Sequence, residues 1–202
     1  MSQITAVEPG LRERKRRATH QRIADEAARL TRLKGLDNTT IDEIAAAAEV
    51  GRATFFRYFD AKETAVAEGF SIPWLSLILD NLEVQPPELG AMEAVIETFT
   101  GFAGGFTPEV RNLVLQQVTL LQSSPTLTAW TLALYVRFEI AIADAVAHRF
   151  RDLTVDDARP RLVGALTMSA VRISLDTWLA SGATKDLAEL LRDALQGVEV
   201  RE

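Results

Sequence analysis

The sequence predicts an all-α fold of about nine helices, a small N-terminal three-helix domain followed by a larger helical one. Three observations carry that expectation. Apolar residues recur at spacings of three and four along most of the chain, no segment sustains the period-two alternation of a strand, and helix start and stop signals recur about one helix length apart. At 202 residues, 48% hydrophobic and 25% charged, the chain has ordinary globular composition and enough length to bury a core.

The elements follow in order. Ile23, Ala27, Leu30 and Leu33 form an apolar stripe on a first helix over about 12–34, which Gly35 is expected to end in a left-handed cap. Thr40 and Glu43 are spaced as a capping box, the hydroxyl accepting from the third helical amide while the carboxylate reaches back to the cap amide, so a second helix starts at 41. Its alanines 45–48 allow another helix to approach closely. Glu49-Val50-Gly51 breaks the pattern, and a third helix runs from Arg52 to Phe59, with Phe55 and Phe59 four apart. Asp60 and Glu63 form a second capping box opening a fourth helix, which Pro73 should kink or split and Pro86-Pro87 should end. Thr107-Pro108 and Ser124-Pro125 each read as a cap followed by a first-turn proline, placing helices at about 88–104, from 108, and from 125 to about Arg149. A further helix starts at Thr154 or, because of Pro160, near 159 and runs to Ser181-Gly182; a last one spans Lys185 to Gln196.

Composition removes several classes of function. Zero cysteines exclude disulfides and thiolate metal sites, and neither His20 nor His148 lies in a carboxylate–histidine cluster with zinc-ligand spacing, so neither metal nor cofactor is expected. The start MSQITAVEPGLRERKRRATH has no apolar run after its charges; the expectation is a cytoplasmic protein with neither signal peptide nor membrane anchor. The 25 uncharged positions from Asn112 to Val136 are long enough to span a bilayer, but they contain three glutamines, four threonines and Ser123-Ser124-Pro125, which read as two buried helices meeting at a cap. No G-x-S-x-G, G-x-x-x-x-G-K or H-E-x-x-H is present, which argues against an enzyme. Asp144 and His148, four apart on a helix, read as a surface pair.

Charge points to a polyanion at the N-terminal end. Residues 1–63 carry twelve Lys and Arg against ten Asp and Glu, whereas residues 64–202 carry ten against eighteen. Six of those cations, Arg12, Arg14, Lys15, Arg16, Arg17 and Arg22, fall within eleven residues opposed only by Glu13. Behind this basic arm, two short helices joined by a three-residue break have the form of a helix-turn-helix whose second helix enters the major groove of double-stranded DNA. Phe55 and Phe59 should face Ile44, Val50 and the first helix, leaving Arg52, Ala53, Thr54, Phe56 and Tyr58 on outward or flanking positions. Arg52 suits a guanine edge, because a guanidinium bonds both acceptors at once. Gly51 allows close approach to a phosphate, and Arg16, Arg17, Thr40, Tyr58 and Lys62 are expected phosphate contacts. Arg52→Ala should therefore relax base preference, and Lys62→Ala should weaken all DNA about equally. The alternative is a helical interaction or scaffold protein without DNA binding.

The run TTIDEIAAAAEVGRATFFRYFDAKE resembles the DNA-binding signature of the TetR family of bacterial transcription regulators, with the likeness covering about residues 15–65. It departs in three places: Glu49 where glycine is usual, Gly51 where serine is usual, and Phe56 where a phosphate-touching tyrosine is usual. The resemblance implies a repressor released from operator DNA by a small apolar effector, with a DNA-binding domain at 1–63 and an effector-binding and dimerisation domain at 64–202. It also implies a homodimer formed by the last two long helices. Leu162, Leu166, Ala170 and Ile173 on the penultimate helix, with Leu187, Leu190, Leu191 and Leu195 on the last, form stripes compatible with that interface. For the pocket, Phe99, Phe102, Phe106, Trp130, Tyr135, Phe138 and Trp178 supply aromatic walls, and Gln116, Gln117 and Arg172 supply polar groups. The segment PEVRNLVLQQVTLLQSSPTLTAW resembles a TetR subgroup with acyl-coenzyme A type ligands that includes the mycofactocin-system regulators, which points to an elongated apolar effector. The fourth helix would couple effector to DNA, with Pro73 as its point of flexure.

Overall fold

The computed structural model describes residues 10–197 and is helical, with no strand among them. It divides into two compact units, residues up to Ile72 and residues from Pro73.

In the first unit, α1 (Leu11–Lys34), α2 (Ile41–Ala47), α3 (Arg52–Tyr58) and the start of α4 (Lys62–Glu83) enclose a core of Ile23, Ala24, Ala27, Ala28, Ile44, Ala45, Phe55, Phe59, Ala65 and Val66. Leu33, expected on the α1 stripe, is 71% exposed, and small Ala24 and Ala28 take the buried positions. The reason is close approach. Gly69 on α4 meets the Ala24 backbone so tightly that a Cβ there would stand 2.0 Å from the Ala24 carbonyl oxygen and 2.8 Å from the Ala28 Cβ. Arg22 Nε donates to the Ala48 carbonyl at 2.7 Å, tying α1 to the end of α2. Gly35 ends α1 at φ +83° and ψ 158°, a positive φ but not the left-handed helical cap expected; glycine is required all the same. Helix α4 runs unbroken through Pro73, so the proline does not split it.

The second unit holds the remainder of α4 with α5 (Ala91–Gly104), α6 (Pro108–Leu121), α7 (Pro125–Val146), a single 3-10 turn (Ala147–Arg149), α8 (Arg159–Ala180) and α9 (Leu187–Gln196). Both proline-linked cap signals hold atom by atom: Thr107 accepts from the Val110 amide and Ser124 from the Leu127 amide. The last helix starts two residues later than expected, at Leu187, where Asp186 caps it by accepting from the Ala188 and Glu189 amides. Pro160 fixes the later of the two expected starts for α8, where Asp157 accepts from the Arg159 amide. Helices α7 and α8 pack side by side, and Gly164 makes this possible, since a Cβ there would lie 2.2 Å from the Glu139 carbonyl oxygen. The Arg149 guanidinium donates to the carbonyls of Leu82, Gln85, Pro86 and Leu89, tying the end of α4 to the turn that follows it.

Candidate nucleic-acid interface and ligand region

The DNA-facing candidates are built on a local scaffold. Thr40 caps α2: its hydroxyl accepts from the Glu43 amide and donates to the Glu43 carboxylate, which also accepts from the Thr40 amide. Lys34 donates a further hydrogen bond to that carboxylate. The Lys34 bond first, then the two Thr40 bonds, hold the Glu43 carboxyl down at about 2 against an ordinary 4.5. A depressed carboxylate stabilises the fold above its unfolded value and loses that contribution as pH falls through its folded one. The cap should therefore weaken between about pH 4.5 and about 2, with Glu43 titrating near 2 by carbon-13 NMR. Lys34→Met should move that midpoint upward; an unmoved midpoint would dismiss the lysine as its main cause.

The turn after α2 places Glu49 at φ +53°, which explains why glycine is the usual occupant and marks a strained position in this chain. Gly51 then precedes α3 as its N-cap with an extended backbone, φ −79°, that other residues also adopt. Phe55 is fully buried on the inner face of α3. On the outer side Arg52, Ala53, Phe56 and Arg57 are exposed, with Thr54 and Tyr58 partly so. Arg57, whose guanidinium lies 5.5 Å from the Tyr58 ring, was not singled out from the sequence; its place one residue from Phe56 on an amphipathic helix was the available signal. Tyr58 packs edge-on against His20 at 5.9 Å, His20 stacks on Phe59 at 4.5 Å, and His20 Nδ1 lies 3.6 Å from the buried Glu68 carboxylate.

The expected phosphate contacts separate into two groups. Arg16 and Arg17 are exposed on α1, with Arg17 bonded to Glu13 at 3.1 Å. Lys62 instead donates to the Leu36 and Thr39 carbonyls, both at 2.8 Å, pinning the α1–α2 loop with two of its three hydrogens. The Thr40 hydroxyl hydrogen is likewise spent within its cap.

The ligand candidates fall into two packed clusters in the second unit. Phe99 and Phe138 are buried in the larger one, with Phe102, Trp130 and Tyr135 packed against it. Burial pushes the Tyr135 phenol up to about 12, the Asp176 carboxylate adding to the shift and the Arg172 guanidinium opposing it, so its O–H stays intact at neutral pH. Trp178 is buried in the smaller cluster with Val114, Val118, Leu187 and Leu191, and Phe106 packs against it. Trp74, which sequence reasoning missed, packs against both clusters, stands 5.8 Å from Phe106, and donates its indole N–H to Gln117 at 2.9 Å. Gln116 is exposed, and Arg172 is exposed and paired with Asp176 at 3.8 Å, away from a buried pocket position. The Trp178 indole N–H, fully buried, has no hydrogen-bond partner among the described residues, and the Arg111 guanidinium lies 5.9 Å from its ring.

The expected dimer residues are divided in the same way. Ala170, Leu187 and Leu191 are buried within the chain's own core, and Leu166 and Leu190 are partly covered. Leu162 and Ile173 are exposed on α8, as are Leu132, Val136 and Ile140 on α7. Among the described residues no helix is long and apolar enough to cross a membrane.

A buried three-helix support presenting a short cationic helix after a capped α2 defines a helix-turn-helix DNA-binding regulator. Residues 23–68 match the family model "Bacterial regulatory proteins, tetR family", and residues 89–201 match "MftR C-terminal domain". The chain is 31% identical over 186 residues to the HTH-type transcriptional regulator TcmR of Streptomyces glaucescens, covering 84% of this chain and 77% of that one. It is 30% identical over 169 residues to MftR of Mycobacterium tuberculosis, covering 82% of each. The crystal structure of Thermus thermophilus FadR, a TetR-family transcriptional repressor in complex with lauroyl-CoA, is similar with a TM-score of 0.62 and 28% identity over 91% of this chain and 96% of that one. The chain belongs to the TetR family of transcriptional regulators.

Proposed function

We propose that this regulator is a non-enzymatic cytoplasmic repressor, bound as a homodimer to operator DNA through α3 and released by an elongated apolar effector that carries one hydrogen-bond acceptor. The unpartnered indole N–H of Trp178 carries the effector half of this reading. A buried donor left unpaired costs about 1–3 kcal/mol, and a ligand acceptor in that position would recover it. The surrounding Phe106, Val114, Val118 and Trp74 supply the apolar walls, and the Arg111 guanidinium adds positive charge beside the ring. The thioester carbonyl of an acyl-CoA is an acceptor of the required kind, and FadR of Thermus thermophilus is described in complex with lauroyl-CoA. Arg52, Ala53, Phe56 and Arg57 carry the DNA half as the exposed face of α3, with Arg16, Arg17, Gly51, Thr54 and Tyr58 as its flanking contacts. Lys62 and Thr40 support that surface by holding the α1–α2 loop and the start of α2.

For the dimer, the exposed α7 and α8 residues Leu132, Val136, Ile140, Leu162 and Ile173 form the favoured interface, since exposed apolar faces mark association surfaces. Two recognition helices on a two-fold axis then match half-sites about 34 Å apart. Moving the population from mostly bound to mostly released takes on the order of 5 kcal/mol of differential affinity.

The test measures affinity for a duplex of the DNA flanking the gene at fixed salt, with and without lauroyl-CoA. Expected is duplex binding with a steep salt dependence, weakened by lauroyl-CoA. Trp178→Phe, which deletes the donor and keeps an aromatic ring at the site, should bind lauroyl-CoA about tenfold more weakly while retaining wild-type duplex affinity. Unchanged duplex affinity at saturating lauroyl-CoA would remove acyl-CoA as the effector class, and equal ligand affinity in Trp178→Phe would remove the indole as its anchor.

A further inference from the structure

We propose that Asp42 is a positioning residue for base recognition: it holds the Arg52 guanidinium in a reading pose and, by its own charge, disfavours DNA that does not offer Arg52 a matching base. This inference rests on the DNA-reading role of α3. The two residues are ten apart in sequence and lie on different helices, yet Arg52 Nη1 donates to Asp42 Oδ1 at 2.7 Å. Both side chains remain open to solvent, Arg52 at 58% and Asp42 at 70%, so the pair sits on the outer surface and not in the core. The Phe56 ring lies 5.5 Å from the guanidinium carbon, giving the same group an apolar neighbour. Carboxylate and ring together restrict a side chain that would otherwise sample many rotamers, while its remaining N–H groups stay available.

Helix stability accounts for a carboxylate in the first turn of α2, where Asp42 stands, but not for a cation at the start of α3. Arg52 is the first residue of α3, where a cation opposes the helix dipole, so its charge is unfavourable locally and is offset by Asp42. A solvent-exposed ion pair contributes little to folding, and an acidic residue on a DNA-facing surface lowers affinity for phosphate. Both costs fall on sequence-independent binding. When Arg52 meets a guanine, the base replaces water at the free donors and the held geometry suits a bidentate contact. When it meets another base, the Asp42 charge stays close to the backbone phosphates without compensation. Phe56 acquires a role through its ring, as the platform beside Arg52.

The experiment selects preferred duplexes from a random-sequence library with the full-length wild-type protein, then compares affinities for the selected and the random duplex across a salt series. Asp42→Asn should bind random duplex about fivefold more tightly and steepen its salt dependence, and should reduce the selected-to-random ratio about tenfold, with lost preference confined to one base pair in each half-site. Asp42→Glu should restore the ratio. If Asp42→Asn lowers the melting temperature but leaves ratio and base preference intact, the carboxylate serves only the first turn of α2 and the inference is overturned. If wild-type protein selects no duplex, it is the DNA-binding reading itself that fails.

Discussion

Gly69→Ala is expected to destabilise the DNA-binding unit by about 3 kcal/mol and to abolish operator binding at 37 °C, although alanine is the better helix former. In an exposed helix the substitution would gain about 1 kcal/mol. Here the added Cβ would stand 2.0 Å from the Ala24 carbonyl oxygen and 2.6 Å from its carbon, both backbone atoms of α1 that no rotamer change can move aside. Relief requires α4 to move off α1, which opens the packing around Ala24 and Ala28 and displaces Glu68, whose carboxylate faces His20 beneath Tyr58 and Phe59. Calorimetry should show the transition lowered on the order of 10 °C. Gly101→Ala, on α5 with nothing within 4 Å of the new Cβ, should be neutral or stabilising and serves as the control. A Gly69→Ala protein with unchanged melting temperature would mean that α1 and α4 are not in such close contact.

Val136→Asp is expected to weaken dimerisation at least 100-fold, and operator affinity with it. Val136 lies at the middle of an α7 row with Leu132 and Ile140, each about half exposed, while Leu187 and Leu191 of α9 are enclosed in their own subunit. A carboxylate introduced into a two-fold interface is buried without a partner from both subunits at once, and uncompensated buried charge costs several kcal/mol. Sedimentation should report monomer at concentrations where wild type is dimeric. Arg192→Glu, on the exposed polar side of α9, should leave the dimer intact. Were Arg192→Glu to dissociate the protein and Val136→Asp not, the interface would lie on α8 and α9, as the resemblance first implied.

The helices and their caps were legible because their determinants are local. Thr40 finds Glu43 three residues away, Ser124 and Thr107 each precede a proline, and Pro160 selects the start of α8 within one turn. Phe55 inward and Phe56 outward follow from a helical period over seven residues. The pocket candidates were less legible. Phe99 and Phe138 have the same composition signal as Phe106 and Trp178, but burial sorts them into different clusters joined by Trp74, which no sequence pattern marked. Lys62 carried a cationic signal, yet the two carbonyls it binds are 26 and 23 residues away.

By itself the sequence determined that the protein is helical, where most helices begin and end to within about one turn, and that a helix-turn-helix follows a basic arm, because hydrogen bonds within four residues and side-chain periodicity decide those features. Only the tertiary structure decided which apolar stripe is interior and which is left exposed, that Gly69 and Gly164 are crossing points, and that Asp42 rather than solvent holds Arg52. Periodicity shows that a face exists, but what covers it depends on segments distant along the chain, whose approach is set by the packing of the whole.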